Sequence, residues 1–205
     1  MVLAAGGSSR LGRPKQLLPL AGRPLLAHVL RHAALSRLDE VILVLGHDAE
    51  RIQKAIGDRT QRVILNPDYA AGQSTSLQAG LAAVSPTAAA ALFLLGDQPQ
   101  VLPSTIDALI ETFRRHQSPI VLPSYGGVSG NPVLISRSLF DELEGVSGDR
   151  GARDVIRAHS GDVLRVPVRC ASPPQDVDTE EDYATLLAAW PETEKLLPVG
   201  RCWSS

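Results

Sequence analysis

Aromatic residues are scarce in this chain. Three Phe, three Tyr and two Trp make up 4% of its 205 residues, so the core has to be assembled from Leu, Val, Ile and Ala. Cysteine is nearly absent as well. Cys170 and Cys202 form neither a Cys-x-x-Cys pair nor a disulfide framework, a usage that suits a reducing compartment. No apolar run reaches the roughly 18 residues that a membrane-spanning helix needs. There is no excess of basic charge: 20 Lys and Arg stand against 22 Asp and Glu, a net charge of −2. That balance argues against a dedicated nucleic-acid or membrane-surface partner, while leaving room for a local cationic pocket. The apolar start runs straight into Gly6-Gly7-Ser8-Ser9-Arg10 with no basic n-region and no cleavage pattern, so it does not read as a signal peptide. The expected address is the cytoplasm.

What is present is an ordinary globular composition, 44% hydrophobic and 20% charged, of a length that fits one α/β domain. Short apolar runs at 1–4, 40–46, 62–65, 90–95 and 119–122 alternate with helical patterns at 24–34, 48–56, 73–84 and 104–116. Continuous apolar strands separated by helices predict a parallel sheet covered on both faces. The pattern changes after about residue 123, with a glycine-rich stretch at 125–131. Strands are then expected at 132–135 and 163–168, and helices at 138–144, 150–159 and 179–189. The predicted organisation is a single domain over residues 1–190, with 191–205 as a loose tail. The first strand is short for one expected near the sheet centre. Either the sheet tolerates a short centre or the true start lies upstream.

The residues that carry chemistry begin at Leu3-Ala4-Ala5-Gly6-Gly7-Ser8-Ser9-Arg10-Leu11-Gly12-Arg13-Pro14-Lys15, directly after the first strand, where a doubly wound sheet places its ligands. Glycine lets backbone N–H groups approach phosphate oxygens, and Arg10 and Lys15 add fixed positive charge to the same loop. The spacing matches neither a P-loop nor Gly-x-Gly-x-x-Gly. A second motif, Leu95-Gly96-Asp97-Gln98-Pro99, puts a carboxylate at the end of a buried strand. Such a carboxylate holds Mg²⁺ against nucleotide phosphates or merely caps the following turn. The third is Gln175-Asp176-Val177-Asp178-Thr179-Glu180-Glu181-Asp182, in which one acid could complete a metal site while Thr179 or Asp178 caps a helix. His28 and His32, at i and i+4, have the spacing of a zinc pair. They lack a third ligand and read as a plain helix face. No Gly-x-Ser-x-Gly elbow occurs, and Cys170 beside Arg169 reads as an inert thiol.

Together with Asn66-Pro67 and Gly72-Gln73-Ser74-Thr75-Ser76-Leu77, these motifs resemble the MobA-like NTP transferases, over about residues 1 to 190, and within them the molybdenum cofactor cytidylyltransferase branch. The resemblance implies a Rossmann-like, doubly wound, mostly parallel sheet of the nucleotide-diphospho-sugar transferase type. It also implies Mg²⁺, an NTP donor, and transfer to the terminal phosphate of a molybdopterin-type cofactor. By that resemblance Leu3, Ala4, Ala5, Gly6 and Gly7 cradle the base and phosphates, Arg10 and Lys15 hold the triphosphate, and Asp97 and Asp178 hold the metal. Ala4-Ala5 is similar to cytidine-using members, whereas guanylyl-using relatives tend to show Leu-Ala-Gly-Gly. Ser76 sits where related cytidylyltransferases contact the cytosine. The block Gly148-Asp149-Arg150-Gly151-Ala152-Arg153 looks like the acceptor side, as does Asn131. Gly130-Asn131-Pro132 departs from the Gly-His-Pro more often seen in that branch.

The residue inventory suits that chemistry. A phosphate monoester with a second pKa near ~6 is mostly dianionic at neutral pH and attacks without a general base. Catalysis then consists of positioning and charge neutralisation, with Lys15, Arg10 and Asp97 as the acting residues. Three readings stay open: CMP transfer from CTP to a molybdopterin-type acceptor, cytidylyl or guanylyl transfer to another phosphorylated acceptor such as a sugar phosphate or methylerythritol phosphate, and a non-catalytic cofactor chaperone. The partner set extends to a molybdoenzyme or its maturation factor.

Overall fold

Continuous apolar strands, buried on both faces, decide the architecture. In the computed structural model, which describes residues 1–8, 10–57, 61–170 and 172–195, with the backbone alone at 150, 194 and 195, the chain runs as follows. β1 (Val2–Leu3) leads through the glycine loop and a 3-10 turn at Lys15–Leu17 to a hairpin of β2 (Pro19–Leu20) and β3 (Arg23–Pro24). Then come α1 (Leu25–Leu35), β4 (Ile42–Leu45), α2 (Ala49–Ile56), β5 (Arg62–Leu65), α3 (Gln73–Leu81), β6 (Ala90–Leu95) and α4 (Pro103–His116). The second half adds β7 (Ile120–Tyr125), β8 (Val128–Ser129), β9 (Val133–Ser136), α5 (Phe140–Glu144), α6 (Arg153–Ala158), β10 (Val163–Pro167) and α7 (Glu180–Lys195).

The main sheet has the order β10-β7-β9-β6-β1-β4-β5, with β8 paired to β7. β9 runs antiparallel to β6 and β7, β8 runs antiparallel to β7, and the remaining pairs are parallel. Alternate side chains go to opposite faces. Val2, Leu43, Leu45, Leu92 and Leu94 pack under α1, α2 and α4, through residues such as Leu30, Ile52 and Leu109. Ile42, Val44, Phe93, Ile120 and Ile135 pack under α3, α5 and α6, through Leu77, Leu143 and Val155. The expected mostly parallel sheet with helices on both faces is the observed one.

A two-residue strand suffices at the centre because its ladder continues past the strand. Ala4 N–H donates to Val44 O at 2.9 Å, and Leu3 O accepts from Gly96 N–H at 2.8 Å. The β2–β3 hairpin was not legible, since two-residue strands bounded by Pro19 and Pro24 carry no alternation. It matters because Leu18, Leu20 and Leu25 form a third apolar cluster with Val177, Leu186 and Trp190, which docks α7. Tyr183 reinforces the dock by donating its hydroxyl to Pro19 O. The helix expected to end at 189 continues through Pro191 to Lys195, so the first five residues assigned to a loose tail are helical. The rest of that stretch, 196–205, lies outside the described residues.

His28 and His32 are not on an open helix face. They are 3% and 1% exposed, beneath Trp190, whose ring lies edge-on to His28 at 4.7 Å and stacked over His32 at 6.3 Å. Because carbonyls only accept, His28 donates from Nε2 to Leu20 O at 2.7 Å, and His32 donates from Nδ1 to Val101 O at 2.9 Å. Burial lowers the His32 pKa to about 4, against an ordinary 6.5; its hydrogen bond to Val101 opposes the shift, and nearby His28 and Arg31 add to it. A depressed histidine pKa gives stability that is complete above pH 6.5, declines as the unfolded chain protonates, and stops declining below about pH 4. Between pH 7 and 4.5 this single group should cost the fold roughly 2–3 kcal/mol. Urea unfolding at the two pH values should show the acid-induced loss shrinking by that amount in His32→Gln; an unchanged loss would mean that the His32 pKa is not lowered in the fold.

Candidate active site

The chain leaves β1 on one side, toward β4 and β5, and returns to β6 on the other. The carboxyl ends of β1 and β6 therefore flank a topological switch point, the usual ligand crevice of such sheets. A cleft of about 550 Å³ opens there. The glycine loop and the Gly96–Asp97 turn form its floor, and α3 with the segment 148–153 forms one wall. Close approach of the two strand ends requires glycine at 96, where a Cβ would stand 2.7 Å from the Ala4 Cβ. At the wall, Gly72 has φ +118°, and a Cβ there would stand 2.8 Å from the Gly148 backbone, so the 148–153 segment seats directly on the start of α3.

At the centre of the cleft stands Lys15. Its Nζ donates to Asp97 Oδ2 at 2.5 Å and to Asp178 Oδ1 at 2.8 Å. Asp178 Oδ2 accepts from an Arg10 guanidinium nitrogen, also at 2.8 Å. Burial works to lower the Lys15 pKa, but Asp97 and Asp178 outweigh it and hold the ammonium charged above the usual lysine range. Asp97, 7% exposed, is pushed up by burial and by the neighbouring Asp176, against the pull of Lys15. Asp178 is delivered by the start of α7. Thr179 caps that helix, its Oγ1 accepting from Asp182 N–H at 3.1 Å, while Asp182 Oδ2 accepts from Thr179 N–H at 2.8 Å. Asp182 therefore locks the turn, and Glu180 pairs with Arg13 at 2.7 Å, leaving Asp178 to face the cleft.

The two carboxylates converge on one cationic atom, so the ammonium occupies a place where positive charge is already favoured. The donors are hard oxygens, the set that suits Mg²⁺ or Mn²⁺ completed by phosphate and water oxygens. Among the described residues no group of three or more His, Cys, Asp or Glu side chains is clustered as a metal site, which leaves this pair as the candidate.

Leu3, Ala4, Ala5, Gly6, Arg10, Lys15, Ser76, Asp97 and Asp178 all border this cleft, as the sequence predicts. Gly7 does not border it; a Cβ there would stand 3.7 Å from the His47 ring. On the acceptor side Asp149 and Arg153 border it too. Asp149 Oδ1 also accepts from Gln73 N–H at 3.2 Å, at the N-terminus of α3. Asn131 lies instead on an adjoining apolar cavity of about 90 Å³, shared with Arg153, and the Arg150 side chain is outside the described part. Three contributors were missed. Gln16 and Tyr69 line the cleft, and buried Asn66 donates from Nδ2 to Ser76 Oγ and Thr75 Oγ1, both at 2.9 Å. Asn66 Oδ1 accepts from Asp68 N–H, so its amide bonds on both sides and orients Ser76. Asn66-Pro67 was visible as a motif, but no local signal told that its amide reaches α3.

Residues 1–163 match the MobA-like NTP transferase domain. The chain belongs to that family. Among curated relatives, this MobA-like transferase is 32% identical to nicotine blue oxidoreductase of Paenarthrobacter nicotinovorans, over 91% of this chain and 95% of the other. It is 28% identical to molybdenum cofactor cytidylyltransferase of Escherichia coli, over 94% and 96%. Among solved structures, Rv0371c of Mycobacterium tuberculosis superposes with a TM-score of 0.83 at 35% identity, covering 91% of this chain and 95% of that one; the same protein has been solved in complex with manganese. The fold is that of the nucleotide-diphospho-sugar transferases, and the MobA-like family is one of nucleotidyltransferases.

Removing the Asn66 amide takes three hydrogen bonds from a buried site. Asn66→Ala should therefore destabilise the MobA-like fold by about 1–3 kcal/mol in urea melts. A loss below about 0.5 kcal/mol would mean that water replaces the amide and that Ser76 needs no such support.

Proposed function

We propose that this chain transfers CMP from CTP to the terminal phosphate of a molybdopterin-type cofactor, with release of pyrophosphate. The observation that carries the reading is the convergence of Asp97 and Asp178 on Lys15 Nζ, beside a glycine loop that borders the same cleft. Backbone N–H groups of the loop bind the triphosphate, and Arg10 adds charge at its open side. Asp97 and Asp178 would hold a divalent cation, Mg²⁺ in this reading, which neutralises triphosphate oxygens when bound. Lys15, held between the two carboxylates, stands beside the loop that would carry the phosphates. The acceptor monoester, already dianionic, forms a bond to the α-phosphorus while the bond to the β-phosphate oxygen breaks and its electron pair leaves with pyrophosphate. Lys15 then gains most, because charge builds on the leaving oxygens. Arg153 and Asp149 border the side from which the acceptor approaches.

Two features support cytidine: Ala4-Ala5 in the loop, and Ser76, whose Oγ accepts from Asn66 and so keeps its own proton for an acceptor atom of the base. The differing names of the relatives support variation in the acceptor at constant chemistry, so the same transfer to another phosphorylated acceptor is the second reading. The two-cysteine composition supports a cytoplasmic enzyme.

Pyrophosphate release from each of the four NTPs, with and without molybdopterin, tests this directly. CTP should exceed GTP by at least about tenfold in kcat/KM, or 1.4 kcal/mol. Equal use of GTP would remove the base assignment, and acceptor-independent rates would remove the acceptor. Lys15→Ala should lower kcat by roughly 10²-fold with a smaller rise in the NTP KM, and Lys15→Arg should restore only part. A change confined to KM would show that Lys15 binds ground state and transition state alike.

A further inference from the structure

Every carbonyl from Leu3 to Gly6 is bonded inside the protein. Leu3 O accepts from Gly96 N–H at 2.8 Å and Ala5 O from His47 N–H at 3.1 Å. The other two, Ala4 O and Gly6 O, accept from one side-chain nitrogen, Gln16 Nε2, at 2.9 and 3.1 Å. Gln16 is 2% exposed and sits on the 3-10 turn next to Lys15. Its amide orientation is fixed by chemistry, since the reverse placement would set Oε1 against two carbonyl oxygens. That leaves Oε1 buried with no hydrogen-bond partner among the described residues, a cost of about 1–3 kcal/mol that a Leu or Met of similar size would not incur. Such a violation of the local rule is expected where function sets the residue.

We propose that Gln16 is the positioning residue of the nucleotide-binding loop. It holds the Ala4 and Gly6 carbonyls away from the cleft, so that the loop meets an anionic ligand with N–H groups and not with oxygens. The same turn is tied to the far end of the loop, Lys15 N–H donating to Ser8 Oγ at 3.0 Å. Loop and catalytic ammonium thus move as one unit, and Gln16 sets the unit before the nucleotide arrives. Without the clamp the Ala4 and Gly6 carbonyls are free to turn toward solvent in the cleft, where they oppose phosphate oxygens.

This inference rests on the nucleotide-binding reading, and its test separates the two. Gln16→Met keeps the length and removes the donor, and Gln16→Glu keeps the shape and, once ionised, can only accept. Ile110→Val, which removes one methyl from the core under α4, serves as a control for loss of stability alone. CTP binding by calorimetry should weaken about tenfold in Gln16→Met and more in Gln16→Glu, with the KM for CTP following and kcat falling less than in Lys15→Ala. Amide hydrogen exchange over residues 4–8 should quicken in both variants and not in the control. Wild-type affinity and exchange in either folded Gln16 variant, or an affinity loss no greater than that of Ile110→Val, would overturn the inference and leave the nucleotide reading intact. Failure of the wild-type protein to bind any of the four NTPs would instead sink the nucleotide reading.

Discussion

One ammonium group holds the site together. Lys15 Nζ lies between Asp97 and Asp178, residues 82 and 163 positions away in the chain. Asp97 arrives on the end of β6 and Asp178 on the turn before α7. Each carboxylate alone would be poorly placed: Asp97 is buried, and Asp178 carries a second cation, Arg10. Partly desolvated charges are tolerated only when paired. The pairing joins three distant segments at one atom and leaves two carboxylates and one ammonium facing the cleft.

The rest of the molecule serves to keep those three segments in register. The two faces of the sheet pack independently, and the junction between the N-terminal half and α7 comes from a small third cluster. Leu20 and Leu25 on the hairpin and start of α1, with Leu186 and Trp190 on α7, seat that helix. The reciprocal bonds of Thr179 and Asp182 then aim Asp178. Trp190 lies over His28 and His32, so the packing of two buried histidines is part of what seats the helix that carries Asp178.

The lining of the cleft comes from two different parts of the sheet. In the proposed reading the nucleotide side is built from the end of β1, the start of α3 and the end of β6, all in the regular parallel part, and the acceptor side from the second half. Asn131, Asp149 and Arg153 come from the irregular second half, where β9 reverses direction and short helices replace long ones. Loops and short elements tolerate change that a doubly buried parallel strand does not. Relatives with different names are compatible with a shared donor half and a variable acceptor half.

The sequence by itself determined the long apolar strands, the long helices and the identity of the charged residues in the cleft, but not the two-residue strands β2, β3 and β8. Apolar periodicity and the glycine loop are local signals, and Lys15, Arg10, Asp97 and Asp178 each sit in a recognisable motif. It did not determine which helix end would meet which strand, because pairing across more than 80 positions leaves no periodic trace. For the same reason His28 and His32 read only as a plain helix face, since the ring that covers them belongs to a tryptophan 158 positions beyond the second of them. Gln16 and Asn66 were illegible as site residues, being uncharged amides whose value lies wholly in what they reach: the carbonyls of a loop in one case and the hydroxyls of another helix in the other. Hydrogen-bond direction is a property of the folded geometry, and only the tertiary structure supplies it.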